Sequence, residues 1–191
     1  MKKIFLILVL FFGSMNILYA EISRIVAGNK DAKIKIIAYE SLTCSHCADF
    51  HQDIYPQLKK DYIDTGLAKI EFRHFPLDVA AFNASKVSQC KSDQSLEILE
   101  SLYLNQQGWV KGNTAEEINN NLKKFIEEEG FQIDFEKCIN DKEIEDFVLN
   151  DRIEGVKKFK VNATPTIIIN DKKFEKTLNY KNLKKSLEKL I

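Results

Sequence analysis

The sequence has no excess of either charge: 28 lysines and arginines stand against 28 aspartates and glutamates. Without a long Lys/Arg block, that balance excludes the electrostatic signature of a nucleic-acid binder and gives no attraction for an anionic membrane. No internal repeat and no low-complexity linker interrupts the 191 residues, a length that suits one domain or one domain carrying an insertion. At 45% hydrophobic and 29% charged residues, neither a disordered chain nor a multi-span membrane protein fits. Histidine is limited to three residues and cysteine to four, so few side chains are candidates for chemistry.

The one long apolar run is at the start. Lys2 and Lys3 precede an unbroken stretch from Ile4 to Phe12, and Gly13, Ser14 and Asn16 lead to Tyr19-Ala20-Glu21. This is the pattern of a secretory signal peptide over residues 1–20, with cleavage expected after Ala20 although Leu18 sits where a small residue is preferred. The alternative is an uncleaved membrane anchor, and either outcome places the rest of the chain outside the cytoplasmic membrane, in the periplasm. No cysteine follows the run, so there is no attachment point for a lipoprotein linkage. Without Lys2 and Lys3 the remaining chain is slightly acidic, which points to proteins as partners and not to nucleic acid.

Hydrophobic periodicity then divides the chain. Residues 33–40, KIKIIAYE, are β-branched and apolar and read as a buried strand, and 68–75, AKIEFRHF, as a second one ended by Pro76. Between them Phe50, Ile54, Leu58 and Tyr62 recur every four residues in a helix that Pro56 should bend. From Asp78 to about Phe159 the pattern is helical, with four or five helices. Leu96, Leu99, Leu102 and Tyr103 share one face, Ile118, Leu122, Phe125 and Ile126 another, and Thr114 opens a helix by capping-box spacing to Glu117. Gly108, Gly112 and Gly130 mark breaks. Strand character returns at 166–170, TIIIN, with 172–178 as its hairpin partner across Asn170-Asp171, and an amphipathic helix closes the chain.

The chemistry is concentrated in 40–51, ESLTCSHCADFH. A closed zinc site needs four ligands, of which one C-x-x-C motif supplies two. His46 lies between the cysteines and cannot easily turn onto the same metal, so no metal is expected. A structural cystine is the plainer alternative in an exported protein. Position argues for exchange chemistry: a strand delivers Cys44 to the first turn of a helix, where free N–H groups and the helix dipole favour a thiolate. His46 could stabilise that thiolate further, or simply face solvent. Far along the chain, Pro165 precedes a buried strand in 161–169, VNATPTIII, and a cis bond there would hold Thr164 extended. A trans proline at a strand start is the other possibility.

On these stretches, with GNKDAKIKIIAY and FEKCIND, the chain resembles the DsbA-like thiol:disulfide oxidoreductases of bacterial envelopes, over essentially all of 22–191. The resemblance implies an α/β, thioredoxin-like fold (21–77 and 160–191) with an inserted helical domain (78–159). It implies Cys44 as the attacking cysteine, Cys47 as the resolving one, and His46 as the histidine that favours the reduced thiolate. Thr164 and Pro165 would form the loop that pairs with bound substrate. The implied partners are reduced substrate proteins and a DsbB-like membrane quinone reductase, with no cofactor, and the short lead before the first strand suggests a monomer acting in oxidation; the alternatives are a disulfide isomerase or reductase, and a non-catalytic envelope binding module or chaperone with a structural cystine. Two departures stand out. Ser45 replaces the family's usual proline, and Ala38 stands where many thioredoxin-like proteins have a buried acid, which leaves Glu40 either to take its place or to be merely structural. If Cys44 pairs with Cys47, the remaining disulfide is Cys90–Cys138, a structural bond within the insertion. The sequons at Asn83 and Asn162 are read as chance.

Overall fold

The computed structural model describes residues 22–91, 93 and 95–191, so the expected signal peptide lies outside the described residues. The central strand, β2 (Ile34–Glu40), buries Ile34, Ile36, Ala38 and Tyr39, and its near-continuous apolar composition follows from having both faces covered. It runs parallel to β3 (Ala68–His74), with Ile36 opposite Ile70 and Ala38 opposite Phe72. On its other side lies antiparallel β4 (Thr166–Ile169), with Ala38 opposite Ile167. An edge strand, β1 (Ile25–Gly28), pairs antiparallel with β3, and β5 (Lys172–Lys173) pairs antiparallel with β4, so the sheet order is β1-β3-β2-β4-β5. The α/β class expected from the sequence is the one found.

Three local expectations need correction. β1 was not anticipated; it has only four residues, of which Ile25 and Ala27 turn inward, and that is too short for a periodic signal. The hairpin partner of β4 was expected over 172–178, but the ladder stops after Lys173. Its turn is as the composition requires, with Asn170 and Asp171 both at positive φ, 45° and 63°. Gly108 was expected to break a helix and instead lies inside a short one, α5 (Gln106–Trp109).

Residues 45–63 form one continuous helical segment built from α1 (Ser45–Asp49), a π-turn (Phe50–Ile54), α2 (Tyr55–Leu58) and a second π-turn (Lys59–Ile63). The first π-turn has a physical cause in Pro56, which has no N–H to return to the preceding turn. The helix widens there, and Tyr55 N–H bonds to Phe50 C=O, five residues back. Phe50, Leu58 and Tyr62 are buried as the four-residue spacing predicts.

Between β3 and β4 the described residues form six helices, where four or five were expected: α3 (Val79–Gln89), α4 (Ser95–Leu104), α5, α6 (Ala115–Glu128), α7 (Phe135–Asn140) and α8 (Lys142–Phe159). The four-residue α5 is the extra one. Thr114 caps α6 as its spacing predicts, its hydroxyl accepting from Glu117 N–H. Cys90 and Cys138 form a disulfide that joins the end of α3 to α7, with Cα atoms 5.5 Å apart. In the chain-entropy model, closing a loop across 48 residues contributes about 4 kcal/mol. A final helix, α9 (Tyr180–Leu187), buries Leu183 and Leu187 in the main core.

The sheet separates two cores. Ile36 and Ala38 face the larger one with Phe50, Leu58, Leu102 and Tyr103, whereas Tyr39 joins Phe75, Phe159, Val161 and Ile168 in a smaller one under α8. Gly155 lets α8 approach closely, since a Cβ there would lie 2.8 Å from the Tyr39 ring. That ring cannot yield easily: Tyr39 is fully buried, packs on Phe75 and Phe159, and accepts from Arg73. Gly155→Ala should therefore lose more by overpacking, about 1–3 kcal/mol, than the up to ~1 kcal/mol it gains in helix propensity. A lowered midpoint in urea denaturation is the expected result.

Candidate active site

The end of β2 and the start of α1 are joined by a short turn held at several points. Phe75 N–H donates to Glu40 C=O at 2.7 Å and Cys44 N–H to Ser41 C=O at 3.0 Å. Thr43 Oγ1 donates to Asp78 Oδ2 at 2.6 Å, while the other oxygen of Asp78 caps α3 by accepting from Ala81 N–H. These bonds leave Cys44 in the N-cap position, extended at φ −81° and ψ 118°, with its carbonyl accepting from Cys47 and Ala48. Cys44 is half-buried, Cys47 is 0% exposed one turn on, and both are free thiols.

The two sulfurs titrate in opposite directions. The Cys44 thiol is lowered to about 5, first by a hydrogen bond from the Cys47 thiol, against an opposing cost of partial burial. The Thr164 hydroxyl and the N–H groups of Cys47 and His46 lower it further. Cys47 is pushed far above the usual thiol range by burial, by its bond to Cys44 and by the charge of Glu40. At neutral pH, Cys44 therefore carries the negative charge while Cys47 keeps its proton.

Of the expected residues, Cys44, Cys47, Thr164 and Pro165 come together. The Thr164–Pro165 peptide is cis, and the Cys44 thiol donates to Thr164 C=O at 3.4 Å across 120 residues of chain. The Thr164 hydroxyl is buried without another partner, which leaves it available to the thiolate. Of the two places considered for His46, its ring takes the solvent-facing one. Its backbone N–H serves Cys44, while its ring, 81% exposed, sits 3.4 Å from Asp49 Oδ2. Cys90 and Cys138 take no part in this constellation.

Two features escaped sequence reasoning. Gln106, buried on α5, donates through Nε2 to Leu42 C=O at 2.8 Å and to Cys44 C=O at 3.0 Å, tying the inserted helices to the cysteine turn. A glutamine between helices carries no sequence signal for that role. The second is a pair formed by Glu40 and His51, both nearly fully buried, with Oε2 and Nε2 2.9 Å apart and the His51 ring stacked on Tyr103 at 4.1 Å. Burial raises the Glu40 carboxyl, His51 opposes this, and the Cys44 charge raises it again. Glu40 was a candidate from its place on β2, but nothing in the spacing pointed to His51 as its partner.

The alkylation rate of Cys44 should report its thiolate directly. A thiol lowered to about 5 is ionised throughout the range above that value, so the rate should be flat from pH 6 to 8 and fall through about pH 5. A free cysteine would still be rising near its ordinary value of about 8.5. The sign for stability follows: in the reduced protein the depressed value stabilises the folded state at and above the unfolded thiol's pKa, and this contribution is lost as pH falls to about 5.

Comparison with known proteins agrees with this geometry. The profile of the Thioredoxin family matches residues 21–189. A Rickettsia bellii relative named as a protein-disulfide oxidoreductase is 32% identical over 76% of this chain, and the match spans only 56% of that longer protein. Disulfide bond formation protein D of Bacillus subtilis is 28% identical, with 86% of this chain and 75% of the relative covered. The crystal structure of alpha-DsbA1 from Wolbachia pipientis superposes with a TM-score of 0.77 at 31% identity, covering 87% of this chain and 90% of that one. BdbD from Bacillus subtilis, at 24% identity and a TM-score of 0.70 over 86% of this chain and 90% of its own, shares the fold. The chain thus belongs to the thioredoxin family and shares its fold with DsbA proteins.

Proposed function

We propose that the protein is an exported oxidase that introduces disulfide bonds into newly translocated polypeptides. The reaction starts from a Cys44–Cys47 disulfide. A substrate thiolate attacks the more accessible sulfur, Cys44, forming a mixed disulfide while the electron pair of the broken bond goes to Cys47. A second substrate thiolate then attacks the mixed disulfide, releasing oxidised substrate and leaving the Cys44 thiolate. A DsbB-like membrane quinone reductase would accept the two electrons and restore the disulfide. The residues assigned are Cys44 as attacked sulfur, Cys47 as leaving and resolving sulfur, the His46 N–H as thiolate donor, and the Thr164–Pro165 loop as the edge that takes a substrate strand.

One observation supports the direction: at the N-cap of α1, beside the buried Cys47 and the Thr164–Pro165 loop, the Cys44 thiol is lowered to about 5. Stabilising the reduced form makes the disulfide a stronger oxidant, as the low-pKa cysteines of this chemistry illustrate. The periplasm is the compartment that suits it, by the expected signal peptide over 1–20 and the disulfide between Cys90 and Cys138. Among the described residues no helix is long and apolar enough to cross a membrane. We assign a monomer, with the Cys90–Cys138 bond bracing the inserted helices.

Cys44→Ser should abolish oxidation of a reduced model protein. Cys47→Ser, offered a disulfide-bonded model peptide, should instead accumulate a mixed disulfide as the Cys44 thiolate displaces one peptide sulfur and no second enzyme thiol resolves the product, visible as a mass adduct that dithiothreitol removes. Turnover by Cys44→Ser would refute the assignment.

A further inference from the structure

Charge that balances over the whole sequence does not balance over the surface. Residues 22–156 hold 16 lysines and arginines against 24 aspartates and glutamates, whereas 157–191 hold ten lysines against only Asp171, Glu175 and Glu188. Of those ten, Lys158 alone has an acidic partner among the described residues, Asp171 at 3.4 Å. The fold gathers many of these lysines, and others, at one end of the sheet. Asn170 N–H donates to the Lys35 carbonyl at 2.9 Å and its side-chain oxygen accepts from Lys35 N–H at 2.8 Å, so the turn that leads to Lys172 sits beside the start of β2. The Lys158–Asp171 pair brings the end of α8 to the same turn. The chain after α9 returns there too, where Leu190 and Ile191 line a cavity of about 360 Å³ together with Lys33 and Leu67. Leu67, Leu190 and Ile191 are 40%, 45% and 72% exposed. β2 has seven residues, which puts this pole about 20 Å from the end of the strand that leads to Cys44.

We propose that this pole docks on the anionic surface of a phospholipid bilayer, its lysines against lipid phosphates and Leu67, Leu190 and Ile191 inserted among the headgroups. Lysines alone would suit any polyanion. The exposed apolar side chains between them favour a bilayer, because interfacial binding adds burial of apolar area to the attraction for anionic lipid. Protection of a sheet edge accounts for Lys172 and Lys173, which form the edge strand β5. It does not account for Lys33, which precedes the central strand, or for Lys189, which follows α9. The signal peptide expected over 1–20 would bring the chain to the outer face of the cytoplasmic membrane. Docked there by this pole, the molecule holds Cys44 on the side away from the lipid, towards other polypeptides. The inference uses no step of the redox reaction, so the two stand or fall separately.

Co-sedimentation of the exported protein with vesicles tests the docking. The protein should bind vesicles of mixed phosphatidylglycerol and phosphatidylcholine, leave them as salt is raised, and ignore vesicles of phosphatidylcholine alone. Lys33→Gln combined with Lys189→Gln should weaken binding by about tenfold or more. Leu190→Ser should weaken it as well. Lys123→Gln combined with Lys124→Gln, the same change of charge on α6, should leave it unaltered. Spin-labelled lipid should broaden the NMR signals of Leu67 and Leu190 before that of Cys44. Equal binding by all variants, or binding to phosphatidylcholine that salt does not reverse, would overturn the proposal. Binding to heparin without binding to vesicles would point to a soluble polyanion and overturn it equally. Oxidation of a reduced peptide in solution should be the same in every variant; its absence from the wild type would overturn the oxidase reading and leave the docking to be decided by the vesicles.

Discussion

One negative charge on sulfur organises this molecule. A thiolate at Cys44 is stable only where donors converge on it, and here they come from three places: the first turn of α1, the Cys47 thiol, and the Thr164 hydroxyl on a loop 120 residues away. None of these is strong alone. Together they draw the thiol down to about 5 at a residue that is only half-buried.

The rest of the fold can be read as what holds those donors in place. β2 and β4 are neighbours in the sheet, and this adjacency puts the end of one and the start of the other at the same edge, where Cys44 and Thr164 meet. The inserted helices contribute through Gln106, whose amide ties down the carbonyls of Leu42 and Cys44, and through Asp78, which links Thr43 to the start of α3. The Cys90–Cys138 bond closes the insertion on itself, away from the reactive pair. Beneath the turn, Glu40 is buried and paired with His51.

Much of this was legible in the sequence wherever local pattern decides the structure. The long apolar strands, the Thr114 cap, the Asn170-Asp171 turn and the C-x-x-C motif at a strand-to-helix junction each depend on a few neighbouring residues. Thr164-Pro165 needed the dithiol beside it before it could be interpreted. What stayed hidden depends on tertiary contact: β1 is four residues long and is a strand only because β3 offers it an edge. Gln106 and His51 are ordinary helical residues until packing brings them to Cys44 and Glu40. The motif left the ring of His46 either at the thiolate or in solvent, and packing decides for solvent, with its backbone N–H serving Cys44.

The central claim is that the surroundings of Cys44 favour the reduced dithiol, and the equilibrium constant of the Cys44/Cys47 pair with glutathione measures this directly. The account predicts an unstable disulfide, reduced well before a structural cystine, with a potential at or above about −200 mV. A potential below about −300 mV, the range of disulfides that resist the glutathione pool, would contradict it.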